Sequence, residues 1–249
     1  MSFDVLSSLS RDVIEYLDSI SDPEKVRLSK RWDKDNHYET YGLNAADFTA
    51  LYETFNPRFK SLTPEQRMEL ADKWAATGNR TLIHLGVHLL RLSAQEGSLT
   101  PTHFDYLDSF TESFQGWGNV DTFCSGVMQP LLEEYPDEVI TLLRRWNASP
   151  SPMKRRTSVV TFTRKTAESG RYVDLTLELC GNLIWDMEDL VRKGVGWALK
   201  DTMRADRPRI IEYVKGLRHM GVSSTLTLYA IRDLKGEERK QVLSVKQEK

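Results

Sequence analysis

Four side chains with chemical potential stand at regular distances along this sequence. Trp117 and Asp121 are four residues apart, which places them one turn apart on the same face of a helix. Arg156 follows Asp121 by 35 residues, and Trp197 follows Arg156 by 41. Side chains that are one repeat apart on equivalent faces converge on one surface. We therefore predict that two indoles, a carboxylate and a guanidinium line a single aromatic and charged surface.

Each of these four residues also has an ordinary explanation when it is taken alone. A tryptophan on a helix more often belongs to the core, and an aspartate in a first turn often complements the helix dipole. The agreement of all four residues with the helical and repeat spacing is what favours a site. Basic residues suited to charge-assisted bonds with phosphates surround them in the sequence, although a solvated helix face would look the same: Lys154, Arg155, Arg192, Lys193, Lys200, Arg207 and Arg209.

The elements that must position these side chains are helical hairpins. Helix-period patterns recur with short breaks, and no stretch alternates apolar and polar residues as a strand would. Five hairpins, over residues 62–94, 102–135, 137–168, 172–203 and 208–234, follow one another at roughly the 35- to 45-residue spacing of HEAT-type repeats. We predict one all-α domain over residues 1–249, a superhelical solenoid of HEAT-like hairpins whose second helices form the concave binding wall.

Local signals define several helix ends. Thr63 and Pro64 begin one helix, Gly78 and Asn79 separate it from the next, and Ser21 is predicted to cap a helix that starts at Pro23. A polar segment, residues 33–44, interrupts the helical pattern near the N-terminus.

Composition is ordinary for a folded protein, but charge is unevenly distributed. Apolar residues make up 40% and charged residues 28%, which argues against disorder. The net charge is −2, yet residues 1–148 contain 14 basic and 23 acidic residues, whereas residues 149–249 contain 20 and 13. Such an uneven charge distribution suggests that the basic C-terminal region binds an anion. The alternative is that the distribution arose by chance.

Several classes of chemistry find no support in the sequence. It contains no phosphate-binding glycine loop, no dinucleotide-binding glycine motif and no zinc-protease or hydrolase motif, so we expect no cofactor. His84 and His88 have the spacing of helix metal ligands but lack a third ligand, and we interpret them, with Arg80 and Arg91, as a polar helix face. Cys124 and Cys180 lie in no metal-binding pattern and are interpreted as buried free thiols.

No membrane span or secretion signal is recognisable. The longest apolar runs, such as residues 82–90, are far too short to cross a bilayer, and the N-terminus lacks a basic start followed by an apolar stretch. We expect a monomer in the cytoplasm.

The motifs WGNVD (117–121), MKRRTSVVTF (153–162) and DLVRKGVGWALKD (189–201), with the Tyr41-Gly42-Leu43 step and the ADFTALYETF helix after it, resemble one known family. They are similar to the DNA alkylation repair family, the HEAT-like-repeat alkylpurine DNA glycosylases. The resemblance spans nearly the whole chain in order. The sequence departs from it at residues 33–41, which are acidic, and in being less basic overall.

The resemblance implies a role for each of the four spaced residues. Trp117 and Trp197 correspond to tryptophans that pack on the lesion-bearing nucleotide, Asp121 to the catalytic carboxylate and Arg156 to a phosphate-binding arginine. It implies hydrolysis of the N-glycosidic bond of cationic purines, such as 3-methyladenine or 7-methylguanine, in double-stranded DNA. Two other interpretations stay open, namely a non-catalytic DNA-structure binder of the same family and a HEAT-type protein-interaction scaffold.

Overall fold

The computed structural model describes residues 2–30 and 38–247, with side chains from residue 5 onward. The helices are α1 Ser2–Ile20, α2 Pro23–Lys30, α3 Ala45–Lys60, α4 Pro64–Ala75, α5 Arg80–Gln95, α6 Phe104–Phe110, α7 Trp117–Phe123, α8 Gln129–Glu134, α9 Pro136–Asn147, α10 Pro152–Val160, α11 Lys165–Glu168, α12 Val173–Asn182, α13 Asp189–Thr202, α14 Arg207–His219, α15 Ser224–Ala230 and α16 Gly236–Ser244. Within these residues there is no strand, and one isolated backbone bridge joins Glu39 to Asn79. The predicted all-α fold of helical hairpins is confirmed. None of the described helices is long and apolar enough to span a bilayer.

The chain separates into two compact units, residues 1–131 and 132–249. In the first unit, the hairpin of α4 and α5 forms as its sequence signals indicate. Thr63 and Gln66 make a reciprocal capping box at the start of α4. Gly78 adopts a φ of 65°, and the Asn79 side chain accepts hydrogen bonds from the first amides of α5.

The junction between α2 and α3 corrects one predicted cap. Asp22, and not Ser21, caps α2 through a 2.7 Å hydrogen bond from the Glu24 amide, while the Ser21 hydroxyl donates to the Tyr41 carbonyl. A Cβ atom on Gly42, whose φ is 72°, would lie 2.5 Å from the Val26 amide nitrogen, so only glycine fits this close approach. Of the polar segment, residues 33–37 lie outside the described residues.

The second helix of the next hairpin is less regular than its sequence pattern predicts. Instead of one α-helix over 119–135, α7 passes into a π-helical segment, Cys124–Met128, before α8 begins. The side chain of Arg91 packs beside Gly126 in this segment, 3.0 Å from the position of an added Cβ. Cys124 and Cys180 are both buried thiols outside any disulfide, as predicted. Burial raises the pKa of the Cys180 thiol.

The second unit pairs α9 with α10, α12 with α13 and α14 with α15, and α16 follows without having been predicted. The helix predicted over 152–168 breaks after Val160 and resumes at Lys165, because Arg164 has a φ of 57° that no α-helix can contain. Two glycines on α13 permit close helix packing. Gly194 faces Arg156 and Val160 of α10, and Gly196 faces the backbone of α15.

Candidate functional site

In the first unit, Trp117 and Asp121 share one face of α7. Trp117 is the first residue of this helix, after Gly116 turns the chain with a φ of 77°. Its side chain is 42% exposed, whereas the core tryptophans Trp74 and Trp146 are fully buried. Asp121 lies one turn later and is half-buried. Trp117 is therefore a surface indole with a carboxylate one turn along the same helix face.

Arg80 completes this group, and sequence reasoning missed its role. Its guanidinium carbon lies 5.8 Å from the centre of the Trp117 ring and 4.8 Å from that of Tyr38. Its Nη1 donates a 2.6 Å hydrogen bond to the Tyr38 hydroxyl. The Asn119 side chain donates to the Arg80 carbonyl, which ties the start of α5 to α7. A signal was present, because Arg80 precedes Trp117 by 37 residues, close to the repeat period.

The two histidines of α5 do not form the predicted polar face. His88 is buried, stacks on Tyr52 with ring centres 4.0 Å apart and makes a 2.7 Å hydrogen bond with the Asn56 side chain. His84 packs on Phe48 at 4.5 Å. Burial, reinforced by nearby cations, lowers the pKa of each histidine to about 4. Both rings are therefore neutral near pH 7, and no group of three metal-ligating side chains occurs in the described part of the chain.

In the second unit, Trp197 is half-buried on α13 and is fixed by its neighbours. Its indole Nε1–H donates a 2.8 Å hydrogen bond to Oδ2 of Asp201, one turn later. The Arg164 guanidinium lies 5.3 Å from the centre of the indole ring. Trp117 and Trp197 thus share a feature that the sequence did not reveal, since each has an arginine cation within cation–π distance.

Arg156 packs beside the helix that carries Trp197. It is 4% exposed, and its Nη1 donates a 2.5 Å hydrogen bond to the Leu190 carbonyl. Its Cγ lies 3.2 Å from the position of a Cβ on Gly194, which precedes Trp197 by three residues and so shares its face of α13. The structure therefore brings Arg156 to the Trp197 face of this helix, where it is largely enclosed.

The other predicted phosphate contacts occupy different surroundings. Lys154 is buried, and Lys193 is exposed with its ammonium 3.7 Å from Asp189. Lys200 lies 3.0 Å from Asp201 and 3.2 Å from Asp233. Burial alone would lower the pKa of Lys200, but these two carboxylates outweigh it and raise that pKa. Among these lysines, Lys193 is the one presented to solvent.

The arginines of this set are mostly engaged with acids or carbonyls. Arg155 binds the buried Asp186 carboxylate at 2.6 Å and donates to the carbonyls of Ser149 and Pro150. Arg192 donates to the Asp186 carbonyl. Arg207 pairs with Glu238, and Arg209 pairs with Asp174. The paired arginines have less freedom to bind phosphate than the sequence suggested.

The structure thus places Trp117 and Asp121 on one face of α7 in one unit and brings Arg156 to the helix that carries Trp197 in the other. Each pair combines an indole with a charged side chain on second helices of helical hairpins. The convergence of both pairs on one surface stays a prediction.

Helical hairpins in series, whose second helices carry indoles, a carboxylate and an arginine at the repeat spacing, define an all-helical repeat protein. Residues 13–234 match the family of DNA alkylation repair enzymes, and the chain belongs to that family. Its membership supports a role in DNA repair.

A solved structure described as a predicted DNA alkylation repair enzyme from Enterococcus faecalis shares this fold. Its TM-score is 0.73 at 14% sequence identity, over 86% of this chain and 96% of that one. Among curated proteins, none matches the sequence significantly.

Proposed function

We propose that this protein is a DNA glycosylase that hydrolyses the N-glycosidic bond of cationic alkylated purines, such as 3-methyladenine and 7-methylguanine, in double-stranded DNA. The observation that supports it best is the pair on α7, a 42% exposed Trp117 followed by Asp121 one helical turn later. An indole at the surface would be available to a nucleotide, and the carboxylate would act beside it.

The proposed hydrolysis requires little acid catalysis by the protein. Alkylation gives the purine a positive charge, so the base is already a good leaving group. As the bond breaks, the deoxyribose becomes oxocarbenium-like, and the Asp121 carboxylate would stabilise that charge and orient a water molecule for attack. Indole faces attract cations by about 0.5 to 2 kcal/mol, so Trp117 and Trp197 would favour the charged base over a neutral one.

Binding to DNA would be shared among basic side chains. Arg156 is proposed to contact a phosphate beside Trp197, with Lys193, Lys154, Lys200 and Arg155 contributing positive charge to the same unit. The proposed hydrolysis needs neither a metal nor an organic cofactor. The site of action would be genomic DNA in the cytoplasm, with the protein acting as a monomer.

Release of free methylated bases tests the proposal directly. Duplex DNA treated with a methylating agent is incubated with the protein, and the released bases are separated and quantified. Release above that of an Asp121→Asn variant supports a glycosylase. If the parent protein releases no base while it binds DNA with strong dependence on salt, the glycosylase proposal is wrong.

One observation favours a second candidate, a DNA-structure binder without efficient catalysis. Arg80 and Arg164 place positive charge within 5.8 Å and 5.3 Å of the Trp117 and Trp197 rings. A cation beside an indole repels a cationic base but attracts a phosphate. Tight, salt-dependent binding of both methylated and unmethylated duplexes, without base release, would identify this candidate. Binding that is absent or insensitive to salt would instead indicate a protein-interaction scaffold.

A further inference from the structure

One buried carboxylate oxygen in the second unit holds two groups at once. Asp201 is 2% exposed, and its Oδ2 accepts a 2.8 Å hydrogen bond from the Trp197 indole and another of 2.8 Å from the Arg164 backbone amide. The indole belongs to α13, and the amide belongs to the turn that separates α10 from α11. Asp201 therefore fixes a ring and a backbone segment relative to each other.

The backbone that Asp201 holds is in an unfavourable conformation. Arg164, with φ 57° and ψ −132°, is the one non-glycine residue with a positive φ in the described part of the chain. Glycine would adopt this conformation without steric cost. Residues held in such sparsely populated regions cluster at active sites, ligand clamps and switch regions.

The Arg164 side chain is exposed, and its surroundings suit a ligand. Its guanidinium stands over the Trp197 ring at 5.3 Å, and no carboxylate of the described residues pairs with it. Arg204, in the same region, pairs with Glu168 and lies 3.8 Å from Asp201. Arg164 thus offers its donors to solvent while its ring neighbour restricts where they point.

The charge of Asp201 is balanced on its other oxygen. Oδ1 accepts no hydrogen bond of good geometry from the described residues, but the Lys200 ammonium lies 3.0 Å from it. The carboxylate is thereby kept between two cations, Lys200 and Arg204, on one side and two N–H donors on the other. An asparagine in its place would carry one oxygen and one NH₂ group. In one orientation the NH₂ group would face the Lys200 ammonium, and in the other it would face the two N–H donors. Either orientation sets a donor against a donor.

We propose that Asp201 is a positioning residue that sets the Trp197 indole and the Arg164 guanidinium as one nucleotide-binding surface. The part of the indole that the guanidinium does not cover receives the sugar and base, and the guanidinium receives the adjoining phosphate. This inference rests on the proposed action of the protein on DNA and adds two residues, Arg164 and Asp201, to the site. Arg164 would touch the DNA, and Asp201 would act through Arg164 and Trp197.

The test compares Asp201→Asn with Asp233→Asn in the full chain. Asp233 is a matched control because it contacts the same Lys200 and its loss changes net charge equally, but it touches neither Trp197 nor Arg164. Three properties are measured: the Trp197 indole cross-peak in a ¹H–¹⁵N spectrum, identified by its loss in Trp197→Phe; the salt dependence of duplex DNA binding; and release of methylated bases.

In Asp201→Asn, we expect the indole cross-peak to move and the slope of log affinity against log salt to fall by about 0.9, one phosphate contact. Base release should fall roughly 10- to 100-fold, since misplacing a binding group by about 1 Å has effects of that size. Asp233→Asn should keep the parent cross-peak and base release. An unmoved cross-peak in Asp201→Asn, or equal losses in both variants, would overturn the proposal.

Arg164→Gly keeps the test decisive if Asp201→Asn does not fold. Glycine accepts the backbone conformation, so this variant should fold, keep the indole hydrogen bond to Asp201 and still lose about one phosphate contact from the salt slope. An unchanged slope would contradict the role of Arg164. If the parent releases no base, the glycosylase proposal fails separately, because the cross-peak and the slope still decide the role of Asp201.

Discussion

The carbonyl oxygen of Leu226 lies 2.7 Å from the point where a Cβ atom on Gly196 would stand. Real Cβ atoms do not approach a backbone oxygen so closely, so α15 packs directly on the backbone of α13 one residue before Trp197. We predict that Gly196→Ala destabilises the protein by about 1–3 kcal/mol, since the helices must separate to admit one methyl group. Urea unfolding monitored by circular dichroism measures this change.

Gly216 provides the control for that substitution. It lies within α14 and has open space where its Cβ would be. Gly216→Ala should therefore leave stability unchanged or raise it by roughly 0.5–1 kcal/mol, because alanine is the better helix former. Equal destabilisation by both substitutions would mean that the contact of α13 with α15 is not the cause.

Asp121→Asn should separate catalysis from binding. Asparagine keeps the size of the side chain but lacks the negative charge that the sugar cation would feel in the transition state. We expect base release to fall on the order of 100-fold, while duplex affinity stays constant or rises slightly, because the lost charge repels phosphate. Single-turnover release from methylated DNA measures the first effect. Asp174→Asn, at a highly exposed carboxylate, serves as the control and should release bases at the parent rate.

Arg156→Ala should weaken DNA binding, in contrast to Asp121→Asn, which should slow base release. We expect weaker binding to all duplex sequences and a salt slope reduced by about one ion, because one phosphate contact is lost. Since Arg156 is buried and donates to the Leu190 carbonyl, this variant should also lower the melting temperature. Binding is therefore measured well below the melting temperature of the variant. A variant that is less stable but keeps the parent salt slope would assign Arg156 a purely structural role.

Arg155 and Asp186 allow a direct comparison of structure with phosphate binding. Their ion pair, in which Asp186 is 6% exposed, anchors the loop before α13. Because breaking a buried pair leaves an uncompensated charge, Arg155→Ala and Asp186→Asn should each cost about 3 kcal/mol or more of unfolding free energy. If Arg155 also contacts DNA, only its own substitution should reduce the salt slope. Equal slopes in parent and Arg155→Ala would remove Arg155 from the proposed DNA-binding set.

His84 and His88 should make stability depend on pH. Their pKa values are lowered to about 4 in the folded state, against about 6.5 when unfolded, so the unfolded chain binds more protons between these values. Stability is therefore complete above about pH 6.5 and is lost as pH falls toward 4. We expect a loss on the order of 1–2 kcal/mol per histidine between pH 7.5 and 5, measured by urea unfolding. His88→Gln, with a side chain that does not titrate, should flatten this dependence by about half; an unaltered profile would place its origin elsewhere.

The sequence predicted those features that depend on local signals. Thr63, Gly78 and Asn79 defined their hairpin because capping and left-handed turns depend on residue type over a few positions. The spacing of Trp117 and Asp121 placed them on one helix face for the same reason. The resemblance to the family rested on short motifs in order along the chain, and the match over residues 13–234 confirms it.

The features it missed arise from contacts between distant segments. Nothing near Arg155 in the sequence indicates that Asp186, 31 residues later, will occupy its guanidinium. His84 and His88 were assigned to a polar face because their partners, Phe48 and Tyr52, lie on another helix. Similarly, the backbone at the break is held at Arg164 by a hydrogen bond to Asp201, 37 residues away, in a stretch whose sequence pattern is continuously helical. Tertiary contacts therefore decided which charges remain for a ligand.

The π-helical segment Cys124–Met128 has a consequence for comparing this chain with its relatives. A single π-turn accommodates one residue more than an α-helical turn, and such segments are rare and frequently lie at functional sites. A relative with an uninterrupted α-helix here should be one residue shorter. An alignment without a gap at this segment would therefore pair every residue on one side of the segment with the wrong residue of the relative. The side chains of α8 are rotated by about 100° from the register that counting from Trp117 gives. Deleting one residue from this segment should restore the α-helical register and turn the faces before and after it relative to each other.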